Sequence, residues 1–120
     1  MNPHLNVLVR HTHDLDVART YYTQTLGFAL EEEHPGALDF GRHGGAELIV
    51  LKPRPDQPAF LPPASGVNPW FLVTDVDSYH DRIRAAGAEI VGELQDGPFG
   101  RMFTLRTPEG HALTFHRARS

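Results

Sequence analysis

The sequence predicts an α+β fold made of two βαβββ modules, and three observations carry that expectation. DLDVARTYYTQTLGF, Asp14 to Phe28, has a degenerate echo in DVDSYHDRIRAAGA, Asp75 to Ala88, and each copy sits between apolar stretches. Each copy opens on Asp-x-Asp and stops on a glycine, Gly27 or Gly87, the residue type that closes a helix in the left-handed conformation. Between the copies, residues 53–69 hold six of the chain's ten prolines, which excludes a helix or a central strand there. The chain therefore divides into module one over 1–52, a proline-rich connector over 53–69 and module two over 70–120.

In module one, the apolar run Leu5 to Val9 reads as a first strand. A helix follows, opened by Asp14 or Asp16 accepting backbone N–H bonds, with Val17, Tyr21 and Tyr22 as its packed face and Gly27 as its stop. Phe28 to His34 reads as a strand with an acidic end at Glu31 to Glu33. Ala37 to Arg42 and Ala46 to Lys52 are two more, parted by the hairpin sequence His43-Gly44-Gly45. Module two repeats the order. Trp70 to Thr74 is a strand and Asp77 to Ala86 a helix with Tyr79 and Ile83 inward. Strands follow near Ala88 to Leu94, Arg101 to Arg106 and His111 to Arg117, separated by turns at Asp96-Gly97-Pro98 and Pro108-Glu109-Gly110. A helix covers only one face of each sheet, so pairing the two is expected to give a concave, partly open mixed β-sheet with helices on its outer face.

Composition narrows the functions. At 120 residues the chain fits one domain, with 40% hydrophobic and 22% charged residues as in ordinary globular proteins. A formal net charge of -4 argues against nucleic acid as a partner, since phosphate binding wants a basic face. There is no apolar run long enough for a membrane span, and MNPHLNVLVRH has neither a basic lead nor a small-residue cleavage site, so a cytoplasmic protein with no membrane partner is expected. The absence of cysteine removes disulfides, thiolate metal sites and cysteine nucleophiles together. No phosphate-binding glycine loop or nucleophile elbow is present, and the three serines, Ser65, Ser78 and Ser120, sit in the connector, at a helix start and at the last position.

Nearly the whole chain resembles the vicinal oxygen chelate superfamily, which includes glyoxalase I, extradiol dioxygenases, fosfomycin-modifying enzymes and bleomycin resistance proteins. The resemblance rests on DLDVARTYYTQTLGF, on FLVTDVDSYHDRIRAAGA and on GPFGRMFTLRTPEGHALTF, with Thr107 where the family usually has Asp before Pro-x-Gly. Metal-dependent members hold a divalent ion with one His or Glu from each of four strands. The resemblance carries those four positions onto Val7, Ile49, Asn68 and Thr114, none of which is His or Glu. No metal and no cofactor are therefore expected.

The second half is most similar to the bleomycin resistance type, in which a metal-free dimer binds a bulky cationic drug. That resemblance implies a homodimer that binds or sequesters a small hydrophobic, aromatic or cationic molecule, with antibiotic resistance as its setting. If Asn68 faces the ligand, strand alternation sends Trp70 and Leu72 the same way, with Val7 and Val9 from module one. Phe60, Phe99 and Phe103 are candidates for the walls, and Arg101, Asn68, Thr114 or a histidine for orienting polar groups. The competing class is an enzyme: a lyase, isomerase, dioxygenase or transferase with a displaced divalent metal, or with an acid–base pair such as Glu47 and a nearby histidine. Eight histidines keep that alternative open. His11-x-His13 shares one strand face, and Glu47 and His116 share faces with Ile49 and Thr114, whereas His43, His80 and His111 are expected to be solvated.

Overall fold

Asp14 opens the first helix: its side chain accepts hydrogen bonds from the backbone N–H groups of Asp16 and Val17. This contact belongs to a computed structural model that describes residues 6–52, 68–97 and 100–117. The chain falls into two compact units, Met1–Ala59 and Phe60–Ser120. Each carries one four-stranded mixed sheet, and together they make the α+β, twice-repeated βαβββ arrangement that the sequence predicts.

In the first unit, β1 (Val7–His11) leads to α1 (Leu15–Thr20) and then to β2 (Glu32–His34), β3 (Ala37–Asp39) and β4 (Glu47–Leu51), in the sheet order β1-β4-β3-β2. β1 is parallel to β4, as a crossover through a helix requires, and the other pairs are antiparallel. The helix is shorter than its sequence run, because Tyr21–Thr25 widens into a π-helical turn in which Leu26 N–H reaches Tyr21 O at 2.9 Å. Phe28 N–H then returns to Tyr22 O at 2.8 Å across Gly27, whose φ of 82° closes the helix. The buried stripe is Ala18, Tyr22 and Leu26. Val17 and Tyr21, expected on the packed face, are 45% exposed and half-buried respectively.

Tyr22 lies 5.2 Å from Phe40 and 5.6 Å from Phe28, ring to ring, over Leu38, Leu48 and Val50. β2 is only three residues long and wholly exposed. It is tied to α1 by Arg19, which donates from Nε and a terminal nitrogen to the two oxygens of Glu33, both at 2.9 Å, and to Asp16 at 2.7 Å. The expected strand from Phe28 to Glu31 does not form.

The second unit repeats the plan with β5 (Trp70–Leu72), α2 (Val76–Ala85), β6 (Glu89–Gly97), β7 (Gly100–Arg106) and β8 (Ala112–His116), in the sheet order β5-β8-β7-β6. The register repeats too: Val9 stands opposite Ile49 in β1–β4, and Trp70 opposite Thr114 in β5–β8. Asp75 caps α2, taking the Ser78 N–H at 3.1 Å and its hydroxyl at 2.9 Å, and these bonds hold its carboxylate below the usual range.

The buried face of α2 is Val76, His80 and Ile83, so His80 is not the solvated residue expected from sequence. Its ring stands edge-on to Phe103 at 5.0 Å, with Nδ1 3.0 Å from Asp81 and Nε2 3.3 Å from Glu93. The Asp81 contact gives one ring nitrogen a hydrogen-bond partner in the helix–sheet core, while Nε2 meets Glu93 at ion-pair distance without hydrogen-bond geometry. Phe103 and Phe115 stack at 5.7 Å, Phe71 stacks on Phe115 at 5.3 Å, and Tyr79 covers Phe115 at 4.8 Å. One face of this sheet is thereby committed to α2.

Candidate functional site

Side chains alternate along a strand, so fixing one face against a helix fixes what the other can offer. In the first unit, Leu38, Phe40, Leu48 and Val50 face α1, and the helix-free face carries Val7, Val9, Asp39, Glu47 and Ile49. Val9, 41% exposed, and half-buried Ile49 form an apolar row whose next member across the sheet is Asp39. In the second unit, Phe71, Phe103, Leu105, Leu113 and Phe115 are on the α2 side. The helix-free face carries Trp70, Leu72, Met102, Thr104, Thr114 and His116.

The sequence-predicted residues divide accordingly. Trp70, Leu72, Asn68 and Thr114 come together on one face: Trp70 is 39% and Leu72 65% exposed, and Thr114 donates to Asn68 Oδ1 at 3.0 Å. Val7, Val9 and Ile49 share the corresponding face of the first unit. Phe103 and Arg101 do not join either group, and this corrects the expectation for both. Phe103 is fully buried under α2. Arg101, on the same strand side, donates from Nε to Asp77 of α2 at 2.8 Å and lies 3.5 Å from Asp96. Phe60 and Phe99 lie outside the described residues.

Three features were not anticipated. Thr104 is the cross-strand partner of Thr114, and their hydroxyl oxygens are 2.7 Å apart. The Trp70 ring meets that of His116 edge-on at 5.4 Å. A cavity of about 530 Å³ opens between the end of β5 and the first turns of α2, walled by Leu72, Asp75, Ser78, Tyr79 and Arg82, with the Arg82 guanidinium 5.1 Å from the Tyr79 ring centre. The two Thr–Thr positions were legible in principle, since the turn Thr107-Pro108-Glu109-Gly110 sets the β7–β8 register.

The four positions that the family resemblance marks for metal ligands hold two aliphatic side chains, an amide and a hydroxyl, and do not fit a divalent ion that wants imidazole or carboxylate. A different donor group exists among the described residues: Glu32, His34 and Asp39 bring ligand-type atoms within 4.8 Å of one another at the outer edge of the first sheet. Glu47, on the strand beside Asp39, is pushed up by hydrogen bonding with Asp39, by partial burial and by the neighbouring negative charge, against the pull of Arg42 at 3.4 Å. Asp39 is held down by the same contact and by the Gly41 N–H at 2.7 Å.

The sign of the pH effect follows. The raised group, Glu47, stabilises the fold fully below its unfolded value, and that contribution is lost as pH climbs through its folded value. The lowered group, Asp39, loses its contribution as pH falls through its own folded value. Glu47→Gln keeps a donor toward Asp39 and cannot titrate. Chemical denaturation against pH should therefore show a loss of stability above the ordinary glutamate range in the wild type and not in the variant, with the acid-side loss kept by both; superimposable curves would contradict the raised Glu47.

Comparison with known proteins agrees with this architecture. A sequence-family model described as the Glyoxalase/Bleomycin resistance protein/Dioxygenase superfamily matches residues 4–115. No curated protein matches the chain. Among solved structures, TioX from Micromonospora sp. ML1 is 30% identical, over 98% of this chain and 100% of that one, with a TM-score of 0.74. A glyoxalase/bleomycin resistance protein/dioxygenase from Nocardioides is 25% identical over 98% of this chain and 85% of that one, with a TM-score of 0.76. TnmS3, described as an antibiotic binding protein from Streptomyces sp. CB03234, has the same fold at 20% identity, covering 98% of each chain, with a TM-score of 0.78. The chain belongs to the glyoxalase/bleomycin resistance protein/dioxygenase superfamily.

Proposed function

We propose that this protein binds and sequesters a small hydrophobic, aromatic or cationic molecule without a metal ion, in the manner of a bleomycin resistance protein, and does so as a cytoplasmic homodimer. The observation that carries this reading is Trp70. The only tryptophan in the chain is 39% exposed beside the more exposed Leu72, on a sheet face that also carries His116 and the Asn68–Thr114 pair. Adjacent exposed apolar side chains mark a surface available for binding, and an aromatic with polar groups beside it is what a small-molecule site is made of. The fold that this chain shares with a protein described as antibiotic binding supports an antibiotic or similar compound as ligand. The apolar pair Val9 and Ile49, next to the acidic pair Asp39 and Glu47, supports a ligand with both greasy and cationic parts. A net charge of -4 fits neither nucleic acid nor an anionic membrane surface, and no helix among the described residues is long and apolar enough to cross a membrane.

A second reading, an enzyme of lyase, dioxygenase or transferase type with a displaced divalent metal, has one observation in its favour, the Glu32–His34–Asp39 group. These three are exposed or half-buried on or beside an edge strand, and Asp39 already accepts the Gly41 N–H at 2.7 Å. Exposed acidic groups of this kind are common without an ion. The metal-free reading is therefore preferred.

Ligand binding, metal content and oligomeric state test the proposal. In a thermal-shift panel of aromatic and cationic compounds, ligands should raise the apparent stability, and a hit should change Trp70 fluorescence. Trp70→Ala should then weaken binding about tenfold while lowering stability by less than about 1 kcal/mol. Phe103→Ala should instead lower stability by about 3–5 kcal/mol; the reverse pattern would make Trp70 the core residue and sink the site. Protein purified without a histidine tag should contain no stoichiometric Fe, Mn, Ni or Zn and should scatter light as a dimer at tens of micromolar. Near-stoichiometric metal would move the assignment to the enzyme, and a monomer would remove the dimer.

A further inference from the structure

The hydroxyl of Thr114 has one proton, and it points at Asn68 Oδ1, 3.0 Å away. The 2.7 Å contact between Thr104 Oγ1 and Thr114 Oγ1 must then be donated by Thr104, because Thr114 has nothing left to give. The result is a one-way relay, Thr104 to Thr114 to Asn68. Thr104 and Thr114 are direct cross-strand partners on β7 and β8, and Thr114 is fully buried, so its hydroxyl is held between these two partners away from water. At the end of the relay, Asn68 is exposed, and its carbonyl oxygen is the atom that accepts. Its amide nitrogen therefore carries two N–H donors outward, on the face that Thr114 shares with Trp70.

We infer that Asn68 is a fixed hydrogen-bond donor beside the Trp70 ring, and that it selects aromatic ligands bearing a carbonyl or other neutral acceptor over plain hydrocarbons of the same shape. This rests on the reading of that face as a small-molecule site and narrows the ligand class. Thr104 and Thr114 are positioning residues: they touch no ligand and act by deciding which end of the Asn68 amide faces it. A side chain held in one orientation costs a ligand less to engage than one that must be frozen on binding.

Calorimetric titration with 2-acetylnaphthalene and 2-ethylnaphthalene, a pair alike in shape and differing in the acceptor, tests the inference. The wild type should bind the acetyl compound about tenfold more tightly, the worth of one well-placed hydrogen bond. Thr114→Ser should keep that preference and Thr114→Val should lose it. Asn68→Asp, an exposed substitution that exchanges donors for acceptors, should abolish or reverse it, with circular dichroism confirming that each variant is folded. Equal binding of both compounds to the wild type, or a preference that survives Asn68→Asp, would overturn the donor role while leaving the binding site in place. If neither compound binds, the donor role falls together with the ligand reading of the Trp70 face.

Discussion

A strand offers its neighbours only two directions, and in each unit of this protein a single helix claims one of them. In the second unit, α2 takes Phe71, Phe103 and Phe115, and each successive residue along those strands is thereby turned away from it. Trp70, Thr104 and Thr114 are where they are because Phe71, Phe103 and Phe115 are where they are. A one-residue slip in β7 would send Phe103 out and Thr104 in. The cost of burying Thr104 under the helix and exposing a phenylalanine holds the register, and with it the composition of the site face.

The same constraint orders the chemistry. On the helix-free face of the second unit, polar side chains satisfy one another in sequence, so a buried hydroxyl is kept without a charge or a metal. On the corresponding face of the first unit, two carboxyl groups stand beside Val9 and Ile49, one raised and one lowered by their contact. Neutral donors and one acid pair are suited to holding an organic molecule by stacking, desolvation and a few directed bonds. They are poorly suited to holding a divalent cation, which needs several charged or imidazole donors at once. The Glu32–His34–Asp39 group comes nearest to that requirement, and one of its members is already engaged by Glu47.

Much of the fold was legible because it is written in local chemistry. Asp14 and Asp75 announce the helix starts, Gly27 and Gly87 the stops, and the echo between the copies announces the repeat. His80 was legible and misread: it falls four residues after Val76 and three before Ile83, on the buried stripe, but its polarity suggested solvent. The π-helical turn at Tyr21–Thr25 has no sequence mark, and Tyr22 and Leu26 are both buried around it. Phe103 and Arg101 were misplaced because RMFTLR has bulky residues on both parities, and only pairing with β8 decides between them. Asn68, Trp70 and Leu72 were placed together from alternation alone, along one short stretch that runs into β5, where no partner's register was needed.

The central claim is that the two faces of the second sheet do separate jobs, α2 packing on one and ligand recognition on the other. Nuclear magnetic resonance mapping during titration with an aromatic ligand tests it most directly. The account predicts shifts at Asn68, Trp70, Thr104, Thr114 and His116, with Phe71, Phe103 and Phe115 little changed. Shifts centred on the α2 side, with Trp70 and Asn68 unmoved, would contradict it.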